Sequence, residues 1–226
     1  MKVSMVDEDQ EVEPLLNPTG REPKQGRSRA SFERMLAAAT DLLIERGNDD
    51  FALTDVAKRG KVSIGSIYCR FDSKDDLIQA VQRRVMERMA DEEAEMIGRL
   101  TDKSTSLDVL VRNFVEELAE FLKRNAPVLR PMMLRASSDP VVRAMGRKGY
   151  DSLVEKVMST LLSRRDEIGH ELPELACEMT LRIAYSAFAR YLGFGTVGDT
   201  GTKADWKNLK TEVGVMCSTY LRNGNR

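Results

Sequence analysis

Apolar residues recur with helical spacing along most of this chain, and no segment shows the sustained alternation of a half-buried strand. The first clear stripe lies within residues 28–46, where apolar side chains stand three and four positions apart and Gly47 follows. Its members are Phe32, Met35, Leu36, Ala39, Leu42 and Leu43. The spacing predicts an amphipathic helix that offers a continuous apolar face to its neighbours.

Two much shorter stripes follow within residues 52–71. Val56 and Ala57 predict the buried edge of one short helix, and Ile67 and Phe71 predict that of a second. Helices this short cannot stand alone, so they must pack on the helix before them. The second one leaves outward a small, polar and aromatic set whose form suits a DNA major groove. That set is Ile64, Gly65, Ser66, Tyr68, Cys69 and Arg70.

Helix start signals support this division. Ser63 stands where an N-cap belongs, because its hydroxyl can accept from the unpaired N–H groups of the following turn. Ser73, followed by Asp75 and Asp76, marks the start of a longer helix from Lys74 to about residue 100.

The remaining stripes predict helices as far as the C-terminus. They fall at about 102–125, 128–137, 140–167, 173–194 and 203–221. The expected fold is all-α with about nine helices: a three-helix helix-turn-helix head followed by a helical body. We expect three segments: a disordered N-terminal arm (1–27), the head (28–88, with the helix-turn-helix at 52–71) and the body (89–226).

Residues 56–77 read VAKRGKVSIGSIYCRFDSKDDL. Here, and back through the preceding amphipathic helix, the chain resembles the DNA-binding domain of the tetracycline-repressor (TetR) family. The family pattern runs roughly Ile-Ala-x-x-Ala-Gly-Val-Ser-x-Gly-Thr-Leu-Tyr-x-x-Phe-x-x-Lys-x-x-Leu. The resemblance covers about a quarter of the chain, and its length makes it specific.

Two positions depart from the family pattern. Lys61 stands where the family usually has the glycine of the turn, and Gly60 comes one place earlier. Either Lys61 adopts the left-handed conformation at a cost of about 1 kcal/mol, or the turn shifts and Gly60 adopts it. Ala52 stands where a capping Ser or Thr is common, which predicts a weak cap on the first short helix.

The resemblance implies a set of DNA contacts. They come from Thr54, Ser63, Ile64, Gly65, Ser66, Tyr68 and Lys74. Tyr68 would donate to a phosphate or lay its ring on a thymine methyl, unless it is a half-buried core aromatic. Ile64 can offer only apolar contact to thymine. Lys74 would hold a phosphate with the first N–H groups of its helix, unless it is an ordinary solvated lysine.

The resemblance also implies a body that dimerises through its last two helices and encloses an effector pocket. The candidate interface residues are Ala184, Phe188, Trp206 and Val213. Trp206 is either an interface anchor or a core residue. The candidate pocket residues are Phe114, Phe121, Met132, Met133, Tyr150, Tyr185 and Phe188. Plain core packing explains the same methionine and aromatic residues, although twelve methionines would suit an adaptable apolar cavity.

The distribution of charge along the chain favours DNA binding. The formal net charge is −1, but residues 21–90 carry fourteen basic and eleven acidic residues, so this segment is at +3. Residues 1–20 carry one basic and five acidic residues. The arm turns basic at Arg21, Lys24, Arg27 and Arg29, either as a solvated linker or as a minor-groove or phosphate contact.

Other chemistry finds little support in the sequence. Three cysteines are scattered without metal-ligand spacing, and the only histidine, His170, is expected at the surface. We find no phosphate-binding glycine loop, no paired-histidine motif and no Cys-x-x-Cys pair, so we predict no catalytic or metal residue and no cofactor. The absence of a long apolar run or a signal pattern predicts a cytoplasmic protein without membrane association.

The leading hypothesis is a transcriptional regulator, a homodimeric repressor that a small apolar or amphipathic effector releases from a pseudo-palindromic operator. The alternative is a TetR-like DNA binder with a structural role on the chromosome and no small-molecule effector.

Overall fold

The computed structural model describes residues 26–103, 105–194 and 205–223, and within these ranges all regular structure is helical. The eight α-helices are α1 (Gly26–Arg46), α2 (Leu53–Gly60), α3 (Ile64–Tyr68), α4 (Lys74–Lys103), α5 (Leu107–Arg135), α6 (Pro140–Leu162), α7 (Pro173–Tyr191) and α8 (Trp206–Asn223). The all-α fold class is therefore confirmed. Most of the predicted arm (residues 1–25) and residues 195–204 lie outside the described ranges.

Two predicted boundaries are wrong: the helix expected at about 140–167 ends at Leu162, and the break expected near Pro127 is absent. The helices expected at 102–125 and 128–137 form the single helix α5, so the described residues contain eight helices where about nine were expected. Pro127 removes one backbone donor but does not end the helix. It lies on the exposed side, while Ala126, Val128 and Leu129 beside it are buried. Burial of these neighbours on the same helix offsets the lost hydrogen bond.

The chain forms two compact units. The first contains the residues up to Glu87 together with Arg130–Lys148, and the second contains Arg88–Leu129 and Gly149–Arg226. Helices α4, α5 and α6 thus each contribute to both units. The structure groups the end of α5 and the start of α6 with the predicted DNA-binding head, an association that the sequence pattern did not indicate.

Helix α1 is the platform of the first unit. Its apolar stripe is buried as the spacing predicts, with Met35, Ala39 and Leu43 inaccessible to solvent. Phe32 stacks on Phe71 with ring centroids 5.7 Å apart, and Phe71 is itself fully buried. The two short helices therefore gain their stability by packing on α1.

The second unit has an aromatic and aliphatic core, which includes Met96, Leu100, Phe114, Phe121 and Phe188. The connection before α7 is tied to the end of α8, because Gly169 N–H donates to the Leu221 carbonyl at 2.9 Å. A side chain at Gly169 would collide with the Arg222 carbonyl, since its Cβ would lie 1.9 Å away. Glycine is needed here for close approach.

The expected surface position of His170 is wrong. Its side chain is buried, with only 7% exposed. Its Nδ1 accepts from the Leu172 N–H at 3.0 Å, and its ring meets the Tyr220 ring edge-on at 5.1 Å. The contact between Gly169 and the end of α8 carries His170 into the interior, and sequence spacing alone does not show this contact. None of the described helices has the length and apolarity to cross a membrane.

Candidate nucleic-acid interface

The turn between α2 and α3 uses Lys61 as its left-handed residue, with φ 51° and ψ 47°. Of the two alternatives for this turn, the strained lysine is the one the structure adopts, at a cost of about 1 kcal/mol. Gly60 has a different task. A Cβ on Gly60 would lie 3.1 Å from the Arg34 carbonyl oxygen, so the glycine lets α2 approach α1 closely.

Ser63 caps α3 with its side chain, whereas Ala52 gives α2 no side-chain cap. Ser63 Oγ accepts from the Ser66 N–H at 3.1 Å, which confirms the predicted cap of α3, and the two hydroxyls lie 2.7 Å apart. Ala52 has no side-chain oxygen, but the Asp55 carboxylate accepts from the Ala52 N–H at 3.2 Å. This hydrogen bond holds the pKa of Asp55 below its ordinary value, and Arg46 adds to the effect from 3.0 Å.

The outward face of α3 carries two large apolar side chains. Ile64 is 37% exposed and Tyr68 is 57% exposed, whereas Ile67 on the opposite side is fully buried. Tyr68 is therefore not a core aromatic. Thr54, Ser63 and Gly65 are exposed as well, and Ser66 is half-buried. The structure places the α3 candidates on one surface, which leaves their contact with bases as a prediction.

Lys74 is not an ordinary solvated lysine. Its ammonium group donates to the carbonyl oxygens of Asp49 and Phe51, at 3.3 Å for Phe51, and lies 5.2 Å from the centre of the Phe51 ring. The half-buried side chain thus ties the first turn of α4 to the loop before α2. Contact between Lys74 and a phosphate stays a prediction.

The basic residues near the turn differ in their contacts and exposure. Arg59 pairs with Glu45 at 2.5 Å, and Arg70 lies over the Phe32 ring at 5.8 Å. Lys58 in α2 and Lys61 in the turn are both exposed. These two lysines give the face around α3 a positive edge that a phosphate backbone can meet.

Sequence reasoning missed a cluster behind this face. Arg135, in the last turn of α5, contacts the carboxylates of Asp49, Asp75 and Asp139 at 2.8, 2.7 and 3.2 Å. Burial alone would raise the pKa of Asp139. Hydrogen bonds from the Val142 N–H, from Gln79 and from Arg135 outweigh burial, and they hold that pKa below its ordinary value. No local pattern signals the cluster, because Asp49 and Arg135 are 86 positions apart.

The effector-pocket candidates are divided between the two units. Met132 and Met133 belong to the first unit, and Phe114, Phe121, Tyr150, Tyr185 and Phe188 belong to the second. Tyr150 and Tyr185 meet edge-on at 5.2 Å, and burial raises the pKa of Tyr185 to about 12. Both tyrosines are half-buried. A pocket lined by these residues stays a prediction.

The interface candidates are mostly covered by the chain itself. Ala184, Phe188 and Val213 are buried within the second unit. Trp206 is half-buried, donates from Nε1 to Glu120 at 2.9 Å and packs on the rings of Phe188 and Tyr191. Other apolar residues of α7 and α8 are the exposed ones: Leu175, Ile183, Val215 and Met216.

Comparison with known proteins finds a family match over the helix-turn-helix. The model for bacterial regulatory proteins of the tetR family matches residues 35–81, a range that contains α2, α3 and the turn between them. The segment of residues 35–81 thus matches the tetR family of bacterial regulatory proteins. The matched family and similar solved structures are described as regulators and not as enzymes.

Three similar sequences are named as regulators. The uncharacterized HTH-type regulator YvdT of Bacillus subtilis is 32% identical over 92 residues, 39% of this chain and 45% of YvdT. The repressor Rv3405c of Mycobacterium tuberculosis is 41% identical over 64 residues, 28% of this chain and 30% of the repressor. The chain thus spans less than half the length of these two relatives. The fatty acid metabolism regulator of B. subtilis is 21% identical over 85% of this chain and 93% of its own.

Several solved structures share the fold over most of the chain. A transcriptional regulator from Rhodococcus sp. Rha1 has a TM-score of 0.65 at 20% identity, covering 87% of this chain and 98% of its own. The fatty acid degradation regulator FadR of Bacillus halodurans has a TM-score of 0.64 at 17% identity, covering 88% and 99%. Salmonella enterica GusR has a TM-score of 0.63 at 20% identity, also covering 88% and 99%.

Proposed function

We propose that this chain is a sequence-specific DNA-binding transcriptional regulator of the TetR family that acts as a homodimeric repressor and is released from its operator by a small effector. The exposed face of α3 carries the proposal. Ile64 and Tyr68 project from a slim, capped helix within the segment that the family model matches. An exposed apolar pair on so short a helix is costly in water and useful in a major groove.

The chemistry of that face suggests distinct roles. Ile64 has no hydrogen-bonding group, so it would contact thymine methyl groups. Tyr68 can donate its hydroxyl to a phosphate or stack its ring on a methyl group. Lys58 and Lys61 would position the duplex through its phosphates, which fixes register but reads no sequence.

Exposed apolar side chains on α7 and α8 support a homodimer. Leu175 and Ile183 on α7 and Val215 and Met216 on α8 are each more than 40% exposed. A symmetric pair would cover these side chains and place two copies of α3 on neighbouring half-sites. One head alone reads too few base pairs to find a site in a genome.

Two similar proteins suggest the class of effector. One is named as a regulator of fatty acid metabolism and another as a regulator of fatty acid degradation. By analogy with these proteins, we propose that the effector is apolar or amphipathic, such as a fatty acid or an acyl derivative. A fatty acid series that fails to release the protein from its operator would favour the alternative, a structural DNA binder without an effector.

Selection from random duplex DNA, followed by binding at several salt concentrations, tests DNA recognition. We expect a pseudo-palindromic site with half-sites about one helical turn apart. Lys58→Ala should reduce the salt dependence of binding, while Lys207→Ala, an exposed lysine on α8, should leave it unchanged. Binding without any enriched sequence would contradict the proposal.

A further inference from the structure

Arg135 joins three parts of the first unit that are distant in sequence. Its side chain is only 17% exposed, and its guanidinium donates to Asp49 from Nη1 and to Asp139 from Nε and Nη2. A third carboxylate, that of Asp75, lies 2.7 Å from Nη2. The planar fork of an arginine can serve several acceptors at once, whereas a lysine ammonium is a single point of charge.

The acceptors lie on both sides of the helix-turn-helix. Asp49 is in the loop before α2, and Asp75 is in the first turn of α4, directly after the turn that follows α3. The segment between them, residues 52–71, contains α2 and α3. Arg135 therefore fastens the segment at its entry and at its exit from one point outside it.

The third acceptor fixes the arginine itself. Asp139, which is 4% exposed, accepts from the N–H groups of Val141 and Val142 at 3.0 and 3.1 Å and from Gln79 at 3.3 Å. It thus caps α6 and contacts α4 while holding Arg135. Because Asp139 is satisfied on several sides, the guanidinium has little freedom to swing away from Asp49 and Asp75.

Removal of Arg135 would leave an unfavourable arrangement. Three carboxylates would face one another with their shared cation gone, and Asp139 is buried. Lys74 would remain near Asp49, with its ammonium 3.9 Å from the Asp49 carboxylate. The carboxylates would move apart, and the nearest parts free to move are the two flanks of the helix-turn-helix.

We propose that Arg135 is a positioning residue for DNA binding, which holds both flanks of the helix-turn-helix so that α3 is presented to the major groove, without itself contacting DNA. This inference rests on the proposed function. It assigns a role in DNA binding to a residue that lies outside the matched segment of residues 35–81.

The test compares Arg135→Met with Arg99→Met in the full chain on the selected operator. Arg99 is the matched control, since it forms a two-point ion pair with Glu117 in the second unit, away from the helix-turn-helix. We expect Arg135→Met to weaken operator binding about tenfold and Arg99→Met to leave it unchanged. Arg135→Lys, which keeps the charge but loses the fork, should fall between wild type and Arg135→Met.

Two further readouts separate positioning from DNA contact and from general destabilisation. The salt dependence of operator binding should stay as in wild type, because no phosphate contact is lost. Amide hydrogen exchange should accelerate in the loop at residues 47–52 and in the first turn of α4 in Arg135→Met, and not in Arg99→Met. Asp49→Asn supplies a milder variant that keeps the bond between Arg135 and Asp139, should Arg135→Met fail to fold.

The outcomes are distinguishable. If wild type selects an operator and the Arg135 and Asp49 variants bind it as tightly as wild type, the positioning role is wrong and the proposed function stands. Equal loss of affinity in Arg135→Met and Arg99→Met would also overturn the role. If wild type selects no sequence, the proposed function fails and this inference fails with it.

Discussion

Helix α3 and the pair α7 and α8 both expose large apolar side chains, but in different settings. On α3, Ile64 and Tyr68 stand among Ser63, Gly65 and the lysines beside the turn. On α8, Val215 and Met216 belong to an 18-residue helix, and charged neighbours on α7 such as Glu178 and Arg182 are already paired at 2.7 Å. Exposure alone does not indicate the partner. Small and cationic surroundings favour DNA, whereas a long face with its charges paired favours a second copy of the chain.

The largest effect is expected from charge placed on the exposed apolar face of α7 and α8. The double variant Ile183→Asp, Met216→Asp should dissociate the dimer, because burying four carboxylates across a symmetric interface is strongly unfavourable. Operator affinity should fall about a hundredfold or more, since the two heads would no longer bind as one unit. Sedimentation equilibrium measures the first effect and operator titration the second.

Val109→Asp is the control for the dimer prediction, because Val109 is an exposed apolar residue of the same unit on α5. It should leave the oligomeric state unchanged. A double variant that remains dimeric would show that the exposed face of α7 and α8 is not the dimer interface.

A smaller effect is expected on the α3 side. Tyr68→Ala should weaken operator binding by about 1–3 kcal/mol while the free energy of unfolding stays within about 0.5 kcal/mol of wild type, because the side chain is exposed. Tyr68→Phe separates the two roles of the residue. Retained affinity would indicate ring contact, and lost affinity a hydroxyl bond to phosphate. A Tyr68→Ala variant that unfolds readily would mean that the ring supports the fold.

The turn can be altered without changing the side chains that would face the bases. Lys61→Gly should raise the free energy of unfolding by about 1 kcal/mol, because glycine adopts the left-handed conformation without strain. Gly60→Ala should lower it, since the added Cβ meets the Arg34 carbonyl at 3.1 Å. Chemical denaturation measures both changes. A rise in the free energy of unfolding for Lys61→Gly and a fall for Gly60→Ala would support these roles: Lys61 takes the left-handed position of the turn, and Gly60 allows α2 to approach α1.

The smallest expected effect concerns Ile64. Replacing thymine by uracil at the bases it contacts removes one methyl group each and should cost about 0.8 kcal/mol per methyl in the free energy of operator binding. Ile64→Ala should abolish the difference between the two duplexes. If wild type binds the thymine and uracil duplexes equally, Ile64 does not read a methyl group.

Features that depend on neighbouring residues were predictable from the sequence, whereas contacts between residues far apart in the chain were not. Ser63 as a cap and the burial of Ile67 and Phe71 follow from spacing within one helix turn. The burial of His170 and the cluster around Arg135 depend on contacts between residues far apart in the chain. The choice of Lys61 over Gly60 was open for the same reason, because it depends on how closely α2 approaches α1. Exposure likewise could not be predicted for Ala184 or Met216, since helical spacing does not distinguish the protomer's own core from a surface for a partner.

The exposed Cys69 at the end of α3 has a practical consequence for fluorescence work. The other two cysteines, Cys177 and Cys217, are buried, and burial raises the pKa of each to about 11. At neutral pH a maleimide dye should therefore attach at Cys69 in the native chain, without mutagenesis. The dye would lie beside Tyr68, where an approaching duplex would change its emission or block its attachment.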